Sequence, residues 1–176
     1  MKENRNRSSA PAGCRWPIGK GLRGRREQKL SHVDAKGEAR MVDVGGKPVV
    51  ARSAVAEATL VCAASTIRLL KKDALPKGDV FAVARVAGIQ AAKQTANLIP
   101  LCHALSLDAV GVDFRVMARG VHVACAVRTH SRTGVEMEAL TGVTVAALTL
   151  YDMCKAVDKG MRVEGVRVVE KRKAEG

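Results

Sequence analysis

Aromatic residues are nearly missing from this chain: one Trp, one Tyr and two Phe among 176 residues. So few rings exclude the stacking platform on which many single-stranded nucleic-acid binders rely. They also leave a core of Val, Ala and Leu, whose small side chains let elements approach closely. Long apolar runs are missing as well. None approaches the roughly 18 residues that span a bilayer, and no apolar leader for secretion is present. There is no CxxC pair, and the cysteines (Cys14, Cys62, Cys102, Cys125, Cys154) are odd in number. Cys102 adjoins His103, but no second Cys/His pair stands at ligand spacing, so no metal is expected. Four of the thiols lie in apolar periodic segments and read as buried, reduced hydrophobes of a cytoplasmic protein. P-loop, strand-following GxGxxG, GxSxG and HExxH signatures are absent.

What is present is a 47% apolar chain with a net charge of +13. The charge is uneven. Residues 1–29 carry nine Lys and Arg against two Glu, in a setting of Arg, Gly, Ser and Pro with no hydrophobic period. They read as a basic disordered tail. Residues 30–176 carry twenty-one Lys and Arg against fifteen acids, a moderately basic domain suited to an anionic small molecule such as a phosphate ester. A nucleic-acid-binding module is the rival reading that charge alone allows.

Residues 30–48 read as an extended, ligand- or partner-facing segment. Small and β-branched residues over 50–62 predict a strand, and Ile67 and Leu70 with Ala63 and Ala64 predict a helix over 63–72, closed by Pro76. Gly78-Asp79 sets up an N-cap for a helix over 80–97 that ends before Pro100. Alternation over 107–117 and 121–127 about Arg119-Gly120 predicts a hairpin. Residues 136–157 are apolar nearly all round and predict a long buried helix. The last strand, 161–170, carries a bulge candidate at Gly165. Apart from one extra helix the order is βαββαβ. The fold class is therefore α+β: a ferredoxin-like antiparallel sheet with helices packed on one face.

Several ionisable groups interrupt these apolar runs. Asp152 and Lys155 are three apart on one helix face, within reach of a shared ligand. The ordinary alternative is a surface ion pair. Glu136 and Glu138 stand at a helix start, where acids suit the macrodipole whether or not they do chemistry. Fourteen residues separate Glu138 from Asp152, about 21 Å if both are helical. One small-molecule site cannot take both from a single helix, so the spacing predicts a site shared between subunits. Lys77 precedes a helix start, an arrangement suited to anions. It equally suits a solvated loop lysine. Lys93 is a ligand candidate or a surface lysine, His103 a catalytic or core histidine, and Arg52 a phosphate holder or an edge-strand charge.

Three blocks make a specific resemblance: LSHVDAKGEARMVDVGGKP (30–48), KGDVFAVARVAGIQAAKQTANLIPLCH (77–103) and TGVEMEALTGVTVAALTLYDMCKAVDK (133–159). Through them the chain resembles the cyclic pyranopterin monophosphate synthases of molybdenum-cofactor biosynthesis. The resemblance implies a lyase that converts 3′,8-cyclo-7,8-dihydroguanosine triphosphate to cyclic pyranopterin monophosphate and pyrophosphate. It implies a hexamer built as a trimer of dimers with sites at the dimer interface. It also implies a radical-SAM GTP 3′,8-cyclase as functional partner, and no metal or organic cofactor. Residue by residue, Asp152 resembles the family's acid/base, and Lys155 and Lys77 its catalytic lysines. Leu101, Cys102, His103, Met137 and Glu138 resemble its substrate contacts. Glu136, Arg52, Lys93 and Asp43 fall at matching polar positions. Ala104 stands where the family usually has Pro, and Lys171-Arg172-Lys173 where many relatives have Gly-Gly. The proton transfers this chemistry needs lead us to expect at least one amine with a lowered pKa.

Overall fold

The computed structural model describes residues 37–72 and 78–174. The basic tail expected over 1–29 and the catalytic candidate Lys77 lie outside the described residues.

Alternation decides the first strand. In β1 (Val50–Val61) the residues Ala54, Ala56, Ala58 and Leu60 are buried, and those between them are not. The helices α1 (Ala64–Lys71), α2 (Val80–Lys93) and α3 (Thr95–Leu98) follow, then the hairpin β2 (Ala109–Met117) and β3 (Gly120–Ser131), the long α4 (Glu136–Cys154) and β4 (Arg162–Lys173). The sheet runs β2-β3-β1-β4, antiparallel throughout, with the helices packed on one side. The expected α+β, ferredoxin-like architecture is the one that forms.

Small residues set the depth of the helical layer. Ala139, Val143, Ala146, Ala147 and Leu150 of α4 are fully buried over the sheet. Gly88 of α2 and Gly142 of α4 face each other. A Cβ on Gly88 would lie 2.9 Å from the Gly142 carbonyl oxygen, and one on Gly142 would lie 2.6 Å from the Cys125 sulfur. The lost helix propensity of about 1 kcal/mol per glycine is thus exchanged for close contact between helix backbones. The aromatic rings serve the same interior. Phe81 meets Phe114 at 5.3 Å between centroids, with the Arg85 guanidinium 5.5 Å from the Phe114 centroid. These rings are committed to α2–β2 packing and offer no base-stacking surface.

Three boundaries differ from the sequence reading. The helix expected over 80–97 breaks at Gln94, whose N–H reaches back only three residues to the Ala91 carbonyl, while the buried Thr95 hydroxyl donates to the Ala91 and Ala92 carbonyls. The helix expected to reach 157 stops at Cys154, where the Val157 and Asp158 N–H groups both turn back to one carbonyl oxygen. The last strand runs on to Lys173, since pairing with β1 continues to the Arg52–Lys173 step. Gly165 does form a bulge. Its φ of 68° suits glycine, and the register shifts there, between the Glu57–Arg167 and Thr59–Glu164 pairs. Asp79 caps α2 as expected, its carboxylate accepting from the Phe81 and Ala82 N–H groups at 3.1 and 2.9 Å.

Candidate active site

The start of α4 builds the acidic wall of a cleft. Glu136 and Glu138 lie in its first turn, and the chain ahead, Thr133-Gly134, turns tightly. A side chain on Gly134 would collide with the Glu136 carboxylate, so glycine leaves the space that this carboxylate fills. Opposite stands the loop that follows α3, bringing Leu101, Cys102, His103 and Leu105. The segment ahead of β1 closes the third side with Val42, Val44 and Lys47. Together these residues and Met137 line a cleft of about 690 Å³. A smaller recess of about 100 Å³ adjoins it, sharing His103, Leu105 and Glu138 and adding Lys93 and Asn97. Seven of the sequence candidates therefore converge here: Leu101, Cys102, His103, Met137, Glu136, Glu138 and Lys93.

The charges in the cleft are tuned differently. Glu138 is only 4% exposed. Burial, and the neighbouring Glu136 carboxylate, push its carboxyl above the ordinary carboxylate value, with His103 pulling the other way. Burial also opposes ionisation of Glu136. The Lys171 ammonium in contact with it, helped by Arg52, outweighs that and holds Glu136 below the ordinary value. Burial and Glu138 raise the Cys102 thiol. The cleft thus sets a carboxyl that burial makes a weaker acid beside one that the Lys171 contact makes a stronger acid. His103 donates from Nε2 to the Val42 carbonyl oxygen at 2.9 Å, which fixes the ring and leaves Nδ1 as its second polar atom.

A sign follows for stability. Because the Glu138 pKa is raised on folding, the stability linked to its protonated form is fully present below the unfolded value of about 4.3. It is lost as pH rises through the folded value. Glu138→Gln is expected to melt higher than wild type at neutral pH, with the difference shrinking toward pH 4. Thermal melts across that range measure it. A Glu138→Gln melting temperature below wild type at neutral pH would contradict the reading.

Asp152 and Lys155 do not join this group. They form an ion pair of 2.6 Å at the far end of α4, both more than half exposed. Since Glu138 is helical, the separation of about 21 Å along the axis stands. Lys155 is not the amine with lowered pKa that the chemistry leads us to expect: its hydrogen bond to Asp152 raises it. Arg52 donates to the Ser131 and Arg132 carbonyl oxygens at 3.1 and 3.3 Å and reaches the cleft only through its field on Glu136. Asp43 is spent on a turn, accepting from the Gly45 N–H at 2.8 Å.

Other residues of the site were not singled out in the sequence, although three of them fall in the 30–48 segment read there as facing a ligand or partner. Val42, Val44 and Lys47 line the cleft from a segment without periodicity, and Lys171 reaches Glu136 only because β4 pairs with β1. A separate cleft of about 660 Å³, at the sheet end, is lined by Arg52, Arg128, His130, Arg172 and Lys173. Of the motif residues only Arg52 lies there. Cys62, Cys125 and Cys154 are buried and Cys102 half-buried. None of these four is in a disulfide, and burial pushes Cys125 up to about 12. Among the described residues no cluster of three His, Cys, Asp or Glu could hold a metal ion, and no helix is long and apolar enough to cross a membrane.

Residues 41–174 match the MoaC family. The chain is 56% identical over 146 residues to a cyclic pyranopterin monophosphate synthase of Chloroflexus aggregans, covering 82% of this chain and 88% of the relative. It is 54% identical over 143 residues to the synthase of Novosphingobium aromaticivorans, covering 81% and 91%. It is 52% identical over 145 residues to that of Streptomyces coelicolor, covering 82% and 85%.

Proposed function

The chain belongs to the MoaC family, and from that membership we propose that it is a cyclic pyranopterin monophosphate synthase. It is a lyase of molybdenum-cofactor biosynthesis, acting on 3′,8-cyclo-7,8-dihydroguanosine triphosphate and releasing pyrophosphate. The observation that carries this is the convergence of Leu101, Cys102, His103, Met137 and Glu138 on one cleft, in a chain that is 56% identical to a protein of that name.

The chemistry asks for proton transfers and for charge neutralisation. Opening the dihydropurine ring and closing the pyran ring move protons between nitrogen, oxygen and carbon. Buried Glu138 and the mobile proton of an Asp152–Lys155 pair are suited to that work. Closing the cyclic phosphate forms a bond from a sugar oxygen to the α-phosphorus and breaks the bond to the departing pyrophosphate. The attacking hydroxyl gives up its proton, and the leaving group carries away negative charge. Lys77, Lys93 and Lys155 supply cations for both events.

A site using both ends of α4 needs a second copy of the chain. With Glu138 and Asp152 about 21 Å apart along one rigid helix, the Asp152–Lys155 pair of one subunit serves the Glu138–His103 cleft of another. We therefore read the working form as a dimer at least, assembled further as a hexamer of three dimers in the cytoplasm. A radical-SAM GTP 3′,8-cyclase supplies its substrate, and the reaction requires no resident metal or cofactor. Incubating the protein with the cyclic dihydroguanosine triphosphate and following both cyclic pyranopterin monophosphate and pyrophosphate tests the reading. Product and pyrophosphate in equal amounts are expected. Neither appearing would overturn it.

A further inference from the structure

We propose that Asp158 is a positioning residue for this reaction: it ties the end of α4, which carries Asp152 and Lys155, to the start of α1. This rests on the catalytic reading of Asp152 and Lys155 given above.

The geometry is a helix cap supplied from a distance. The N-cap of α1, Ala63, has no polar side chain, and no side-chain cap is made within the helix. In a capping box the N-cap N–H is answered by the side chain of the third helical residue. Here that residue is Thr66, which donates instead. Asp158 takes the accepting role for both, its Oδ2 receiving the Ala63 N–H at 2.8 Å and the Thr66 hydroxyl at 3.0 Å. Its Oδ1 receives the Gly160 N–H at 3.0 Å. Both oxygens are committed to donors, and the backbone bond to Ala63 leads in holding the carboxyl below its ordinary value. The Asp158 N–H in turn donates to the Cys154 carbonyl oxygen at 3.2 Å, beside the Val157 N–H at 3.0 Å. One residue therefore closes the last turn of α4 and caps α1.

The consequence falls on Lys155 and Asp152. Within one subunit both side chains are more than half exposed, so the subunit's own fold holds them mainly through their backbone. Their placement is set by the backbone of the last turn of α4, and that turn is anchored through Asp158. A displacement of about 1 Å in a reacting group can cost about 100-fold in rate.

Asp158→Asn is the test. An amide keeps the shape but presents an NH₂ group to donors on one side or the other. Assayed on the cyclic dihydroguanosine triphosphate, at a temperature where circular dichroism reports the native fold, the variant is expected to lose about 10–100-fold in kcat with KM little changed. Thr66→Val removes one donor to the same oxygen. It should lower kcat less, and add little on top of Asp158→Asn. Amide exchange should quicken together in α1 and in residues 152–155. An unchanged kcat in a variant that merely melts lower would overturn the proposal, as would exchange that quickens in α1 alone. Should Asp158→Asn fail to fold, the kcat of Thr66→Val decides by the same criterion. A wild type inert on the substrate would sink the functional reading instead, and the paired exchange would still test the tie.

Discussion

Lys155→Ala and Asp152→Asn are each expected to lower turnover by about 10²–10⁴-fold, the usual contribution of a positioned acid or base, and to leave fold and assembly in place. The fold survives because the two groups form a solvent-exposed pair at the end of α4, and such pairs contribute little to stability. The structure adds a sign. Asp152 raises the Lys155 pKa through their hydrogen bond, so Asp152→Asn lets that amine lose its proton at lower pH. Any alkaline limb of the pH–rate profile that reports Lys155 should therefore move down in pH in Asp152→Asn. Lys77→Ala, at the matching lysine of the KGDVF block, is expected to lose turnover to a similar extent. Steady-state assays, thermal melts and light scattering on each variant check this. Near wild-type rates in both Lys155→Ala and Asp152→Asn would remove the chemistry from the end of α4.

Two dead proteins should make a live one. If each site takes Glu138 and His103 from one subunit and Asp152 and Lys155 from another, an Asp152→Asn protein and a His103→Ala protein are separately inactive. Unfolded together and refolded as a mixture, they form hybrid dimers. By two-fold symmetry each hybrid holds one intact site and one site damaged twice. Random pairing makes half the dimers hybrid, so about a quarter of wild-type activity is expected, the two-fold operator being what sets that fraction. A site contained in one subunit gives no recovery at any mixing ratio. A monomer by light scattering at micromolar concentration would also end the shared-site reading.

The elements themselves were legible before the structure. Alternation in β1 and β3, the Asp79 cap, the apolar character of α4 and the Gly165 bulge are local signals. Each depends on neighbours within a few positions, so each survives translation into coordinates. The helix ends were less legible, because α2 ends where the chain tightens at Gln94 and the Thr95 hydroxyl turns back on the preceding turn. Nothing in residue type decides whether Thr does that or points to solvent.

For the site, the sequence alone named the candidate residues and, through the spacing of Glu138 and Asp152, separated two of them along a rigid rod. A helix rises a constant 1.5 Å per residue, so counting along the chain is enough. Only the tertiary structure decided their company. Lys171 reaches Glu136 because β4 lies beside β1. Arg52 turns its guanidinium to carbonyl oxygens at the end of β3. Asp158 caps a helix more than ninety residues earlier in the chain. Burial sets Glu138 against Glu136, and the Asp152 contact makes Lys155 a stronger base than expected. These are effects of distance and solvent exclusion between segments far apart in the chain, and residue order carries no measure of either.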